Sequence, residues 1–154
     1  MNHNDRLTRL RYALDIKDQD MVDIFKLGDV IISKEDYLQL LKKKDEDEYE
    51  VELTDEVFER FLNGLVISQR GKREGEEPPL ELRPGNANNV MLKKIKIALS
   101  LKNEEVLRYW SEVGITVSKS ELSAFLRKEG HKNYKTCGDN FMRNFLKGLM
   151  IDYR

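Results

Sequence analysis
The chain has 154 residues, 36% of them charged and only three of them Pro, with a formal net charge of −1. That length allows one domain or two small halves with a real core. The single cysteine excludes an internal disulfide, the first residues lack the apolar stretch of a secretory signal, and no run of 18 apolar residues offers a membrane span, so a reducing cytoplasm is the expected setting.

From the start of the chain, Leu7, Leu10 and Leu14 with Ala13 beside them fall on one face at helical spacing. Asp18 then reads as an N-cap for a second helix carrying Met21, Val22, Ile24 and Phe25, and Gly28 reads as its left-handed stop. Val30-Ile31-Ile32 is a short β-branched connector. Ser33-Lys34-Glu35-Asp36 opens a third helix through Tyr37, Leu40 and Leu41. A charged segment, Lys42 to Glu52, leads to a fourth helix opening near Thr54 and carrying Val57, Phe58, Phe61, Leu62 and Leu65.

The same text then returns at an offset of about 85. Leu92, Ile95, Ala98 and Leu99 repeat the first helix. Asn103, as the next cap, leads to Val106, Leu107, Tyr109 and Trp110 with a stop at Gly114. Ile115-Thr116-Val117 matches the connector, and Ser118 opens a helix with Leu122, Phe125 and Leu126. Phe141, Met142, Phe145, Leu146 and Leu149 match the fourth helix. Gly64 and Gly148, inside these last helices, point to close helix approach. The fold expected is all-α: a tandem duplication of a roughly four-helix unit, packed as pseudo-symmetric halves, with helices one and four of each copy at the centre. The expected divisions are 1–70, a Pro- and Gly-bearing linker over 71–88, and 89–154, with Leu80 and Leu82 able to pin the linker to the surface.

The halves differ in charge. Residues 1–87 carry 14 Lys and Arg against 21 Asp and Glu, whereas residues 88–154 carry 13 against 7. Mutual attraction within or between chains is the favoured explanation, and contact of the basic half with an anion is the other.

The stretches Phe61-Leu62-Asn63-Gly64-Leu65, Arg70-Gly71, Asn88-Asn89-Val90, Ile97-Ala98-Leu99-Ser100-Leu101-Lys102 and His131-Lys132-Asn133-Tyr134 with Cys137-Gly138-Asp139 resemble the YehS-like bacterial family, known as a domain of unknown function. The resemblance covers nearly the whole chain. It implies the duplicated fold and a bacterial cytoplasmic setting, and it brings no catalytic or binding residues with it.

Chemistry is sparse. His3, His131 and Cys137 leave a tetrahedral zinc set short, so no metal and no cofactor are expected. The acidic run Asp45-Glu46-Asp47-Glu48 lacks the glycine of a calcium loop. His131, Tyr134, Cys137 and Asp139 form a possible functional segment. A cysteine nucleophile there would need a base within reach, and a buried structural thiol is the stronger alternative. Residues 104–128 can be read as helix, glycine turn and helix, with Lys93, Lys94, Lys96, Lys119, Arg127, Lys128, Lys132 and Lys135 as phosphate contacts, though Trp110 occupies the place where such helices approach. The preferred reading is a non-enzymatic protein-interaction or binding module, with an unknown protein partner or self-association of complementary halves. A nucleic-acid-associated regulator using the basic copy is the alternative. No membrane contact is expected.

Overall fold
A computed structural model describes residues 1–72 and 78–154. Its helices are α1 (His3–Ala13), α2 (Asp18–Leu27), α3 (Lys34–Leu41), α4 (Asp55–Arg70), α5 (Ala87–Ala98), α6 (Asn103–Glu112), α7 (Lys119–Leu126) and α8 (Asp139–Tyr153). Among the described residues there is no strand, only an isolated antiparallel bridge between Lys43 and Tyr49. α1–α4 and α5–α8 are the two copies, and the chain is all-helical as its periodicity predicts.

The helix starts are chemically paired. Ser33 accepts from the Asp36 N–H and Ser118 from the Glu121 N–H, each supplying one orphan donor of the first turn with a partner. Thr54 does the same for Val57. At α1, Asn2 and Asp5 form a reciprocal capping box. Two expected caps are corrected. Asp18 and Asn103 are the first helical residues, and Lys17 and Lys102 occupy the cap positions. The Asp18 carboxylate is drawn outward instead, accepting from the Tyr37 hydroxyl at 2.9 Å and from Arg11.

Gly28 is also corrected. Its φ is −90°, and the left-handed residue of that turn is Asp29, at φ 65°. Glycine is needed at 28 because a Cβ there would lie 1.9 Å from the Arg60 carbonyl oxygen. In the second copy the left-handed position falls on Gly114, at φ 84°. The expected close approaches at Gly64 and Gly148 are present. A Cβ on Gly64 would meet the Ile24 carbonyl oxygen at 2.0 Å, and one on Gly148 would meet that of Tyr109 at 2.5 Å. Ile24 and Tyr109 are themselves matched positions of the two copies, so α2–α4 and α6–α8 close by the same device.

The copies interlock. α4 packs broadly on α5, and α8 packs on α1, so each copy's last helix leans on the other copy's first. The expected central helices are therefore the observed ones, and one core runs through both copies, from Leu7, Phe25 and Phe61 to Ile95, Trp110 and Phe145. The Trp110 indole N–H donates to the Phe141 carbonyl at 2.8 Å, which fixes this ring as core.

α5 opens at Ala87, so residues 87 and 88, placed in the linker by composition, are helical. Of the linker leucines, Leu82 packs against the core and Leu80 is 43% exposed. The Glu59 carboxylate, 1% exposed, does the pinning: it accepts from the backbone N–H groups of Glu81 and Leu82 at 2.7 and 2.8 Å.

Candidate functional site
In each copy a buried asparagine ties the irregular segment between the third and fourth helices to the first helix. Asn4 donates to the carbonyls of Leu40 and Val51 and accepts from the Leu53 N–H. Asn89 donates to the carbonyls of Phe125 and Lys135, at 3.0 and 2.8 Å, and accepts from the Cys137 N–H at 2.9 Å. Each of these asparagines is 6% exposed or less. It satisfies backbone groups that a helix can no longer reach.

The anchored segments then diverge. In copy one the segment is acidic and folds back through the Lys43–Tyr49 bridge. The Tyr49 hydroxyl donates to Asp5 at 2.7 Å. Burial first, and this bond next, push Tyr49 up to about 12. In copy two the matched tyrosine is Tyr134, and Asp5 is matched by Val90. The Tyr134 hydroxyl oxygen is buried and has no hydrogen-bond partner among the described residues, although Thr136 lies beside it. Burial, then the charge of Glu129, raises its pKa, so the hydroxyl keeps its proton at neutral pH.

Tyr134 lines a cleft of about 130 Å³ between the start of α5 and the end of α7. A single water takes about 30 Å³ of liquid volume, so the cleft has room for a carboxylate or phosphate group. Its cations are Arg83, Lys93, Arg127 and Lys128, and its acids are Glu81 and Glu129. Lys93 lies 3.9 Å from Glu81, a weak pairing.

The structure thus brings together Lys93, Arg127, Lys128 and Tyr134 from the residues singled out in the sequence. Lys135 borders them but is paired with Glu121. Lys94 is half-buried on a different side, in a groove against α4. Lys96, Lys119 and Lys132 do not line the cleft. His131 is exposed, 3.4 Å from Arg127, and its Nδ1 accepts from the Asn133 N–H. Cys137 is 1% exposed, and its Sγ lies 3.9 Å from the Gly138 carbonyl oxygen. Burial, with the negative charge of Asp139 and Glu121, pushes the thiol up to about 12, so at neutral pH it is neither a thiolate nor accessible.

Asp139 belongs to a polar clamp between the copies. Arg6, 8% exposed, donates from Nε to Asn88 at 2.8 Å, and Asn88 donates to Asp139 at 2.8 Å and to the Cys137 carbonyl. The Met1 ammonium sits 2.9 Å from Asp139. Burial opposes the charged form of Asp139, but Asn88 and the ammonium outweigh it, and its pKa lies below the ordinary carboxylate value. On the other side His3 donates from Nε2 to Asp55 at 2.6 Å and accepts at Nδ1 from Arg6, the pattern of a neutral ring. Burial lowers its pKa accordingly. Each of these polar groups has a partner within the fold. Among the described residues, no group of three His, Cys, Asp or Glu is placed to hold a metal, and no helix is long and apolar enough to cross a membrane.

Arg83, Asn86 and Glu81 of the cleft were not legible in the sequence, because they lie in the segment composition assigns to a linker. Fold and site together define a tandem all-helical repeat whose copies share an asparagine anchor and differ at the surface beside it. The chain belongs to the family described as "Protein of unknown function (DUF1456)", which it matches over residues 3–71 and 88–154. It is 41% identical over 149 residues to the "Uncharacterized protein YehS" of Escherichia coli (strain K12), covering 97% of this chain and 94% of that relative. No solved structure matches it.

Proposed function
We propose that this protein is a non-enzymatic binding module of the bacterial cytoplasm that receives an acidic segment of a protein partner in the basic cleft of its second copy. One observation carries the reading: Arg83, Lys93, Arg127 and Lys128 line one cleft together with Tyr134, whose buried hydroxyl has no acceptor among the described residues, while its twin Tyr49 donates to Asp5. An incoming carboxylate supplies the acceptor that Asp5 supplies in copy one. Arg127 and Lys128 are exposed and set the electrostatic approach. The exposed acidic run Asp45–Glu48 of a second molecule has the complementary charge, so self-association is one form this recognition can take.

The test is fluorescence anisotropy with two labelled peptides, one of residues 43–50 and one an unrelated Asp/Glu-rich sequence. Both are expected to bind and to weaken steeply between about 50 and about 200 mM salt. Arg127→Glu with Lys128→Glu should abolish binding, and Tyr134→Phe should weaken it about tenfold. Binding that survives the charge reversal contradicts the proposal. A single-stranded oligonucleotide that binds while neither peptide does transfers the site to the nucleic-acid reading.

A further inference from the structure
On the opposite flank, α4 and α5 form the floor of a groove of about 560 Å³, bounded by the end of α2 and by Pro78-Pro79. This is the size of an ordinary small-molecule site. Asn63 of α4 lines it. Its side chain belongs to a residue 6% exposed, yet its Oδ1 is buried with no hydrogen-bond partner among the described residues. A buried amide oxygen of this kind carries a desolvation penalty that a donor from a ligand would relieve. The matched residue of copy two is the exposed Lys147, so the feature belongs to the first copy alone.

Two further observations point to the ligand. Lys94, half-buried on α5, also lines the groove and has no carboxylate within ion-pair distance among the described residues. The nearby Glu59 carboxylate is taken up by the linker N–H groups. Burial lowers the Lys94 pKa and outweighs the opposing pull of the Glu59 and Glu81 charges. Arg70 stands at the rim, bonded to Ser100, and Asp29 is the one acid of the lining among the described residues. Ile67, Pro78 and Pro79 supply an apolar wall, and Ile97 beside them is 42% exposed.

We propose that this groove binds a small amphipathic carboxylate bearing a hydroxyl or N–H donor. The carboxylate pairs with Lys94, the donor meets Asn63 Oδ1, and the hydrocarbon lies along Ile67, Ile97 and the prolines. The site is separate from the basic cleft and does not depend on the reading given for it.

The probe is 3-hydroxydecanoate, with decanoate and the methyl ester of 3-hydroxydecanoate as comparisons, followed by calorimetry and by amide shift changes in isotope-labelled protein. The hydroxy acid is expected to saturate one site below about 1 mM. It should move the amides of Asn63, Ile67, Lys94 and Ile97, and bind more tightly than either comparison. Lys94→Met should cost about tenfold and erase the preference for acid over ester. Asn63→Leu should erase the preference for the hydroxyl. Should Asn63→Leu not fold, Ile97→Glu at an exposed position keeps the test open, because a carboxylate there must repel the acid. Absence of saturation, shifts on another surface, or unchanged affinity in Lys94→Met would each overturn the proposal.

Discussion

Replacing Asn89 by Ala removes one side chain that makes three hydrogen bonds, to the Phe125 and Lys135 carbonyls and from the Cys137 N–H. A buried hydrogen bond contributes about 1 kcal/mol net, and an orphaned buried partner costs more, so the loss should be about 3–5 kcal/mol. Native proteins of this size have about 5–15 kcal/mol in total. The corresponding fall in Tm is about 2–4 °C per kcal/mol, or at least about 6 °C. Urea unfolding followed by circular dichroism should show the midpoint falling at constant m-value, and amide exchange at Cys137 should accelerate. Asn4→Ala should give a loss of similar size, since its three bonds repeat those of Asn89. Asn133→Ala, exposed and bonded only through its backbone, should stay within about 0.5 kcal/mol of the parent. A loss below about 1 kcal/mol for Asn89→Ala would refute the argument that these asparagines hold the segments in place.

Gly64→Ala and Gly148→Ala should each destabilise by about 2 kcal/mol or more, because the added methyl meets a backbone carbonyl that cannot yield; a thermal melt unchanged from the parent would contradict the helix contacts described. Asp139 has a folded pKa below its ordinary value, so its contribution is present above about pH 4 and is lost as pH falls through the folded pKa. Asp139→Asn should therefore lower stability near neutrality and flatten its decline in acid, as followed by urea midpoints from about pH 6 down to about pH 2.5.

The sequence makes the helices legible because their apolar positions recur at helical spacing and then recur again in the second copy. Gly64 and Gly148 announce their role, since glycine inside an apolar helix needs a packing reason. The cap at Asp18 misleads because a capping residue can also serve as a tertiary acceptor, and Asp18 is claimed by Tyr37 and Arg11; among the described residues the structure shows no such partner for Asn103, whose helix is likewise capped one residue earlier. Gly28 misleads because two needs, close approach and left-handed backbone, sit on adjacent residues there. Of the site, the charge of the second copy is readable, but its arrangement is not: Lys93, Arg127 and Lys128 converge only because Asn89 draws the segment after α7 back to α5. The clue within reach is the match of Asn4 with Asn89 followed by the mismatch of Asp5 with Val90, five or six residues upstream of where the repeat is most evident. The burial of Glu59 against linker backbone leaves no trace in sequence pattern, since an acid in a helix otherwise reads as solvated.

The divergence of the two tyrosines is tested most directly by measuring Tyr49→Phe and Tyr134→Phe side by side in urea unfolding, with acidic-peptide affinity measured on the same samples. Removal of the Tyr49 hydroxyl, bonded to Asp5, should cost about 1–2 kcal/mol and leave peptide binding unchanged. Removal of the unpartnered Tyr134 hydroxyl should leave stability unchanged or raised while weakening the peptide. Equal losses of stability in the two variants, or full peptide affinity in Tyr134→Phe, would contradict the account.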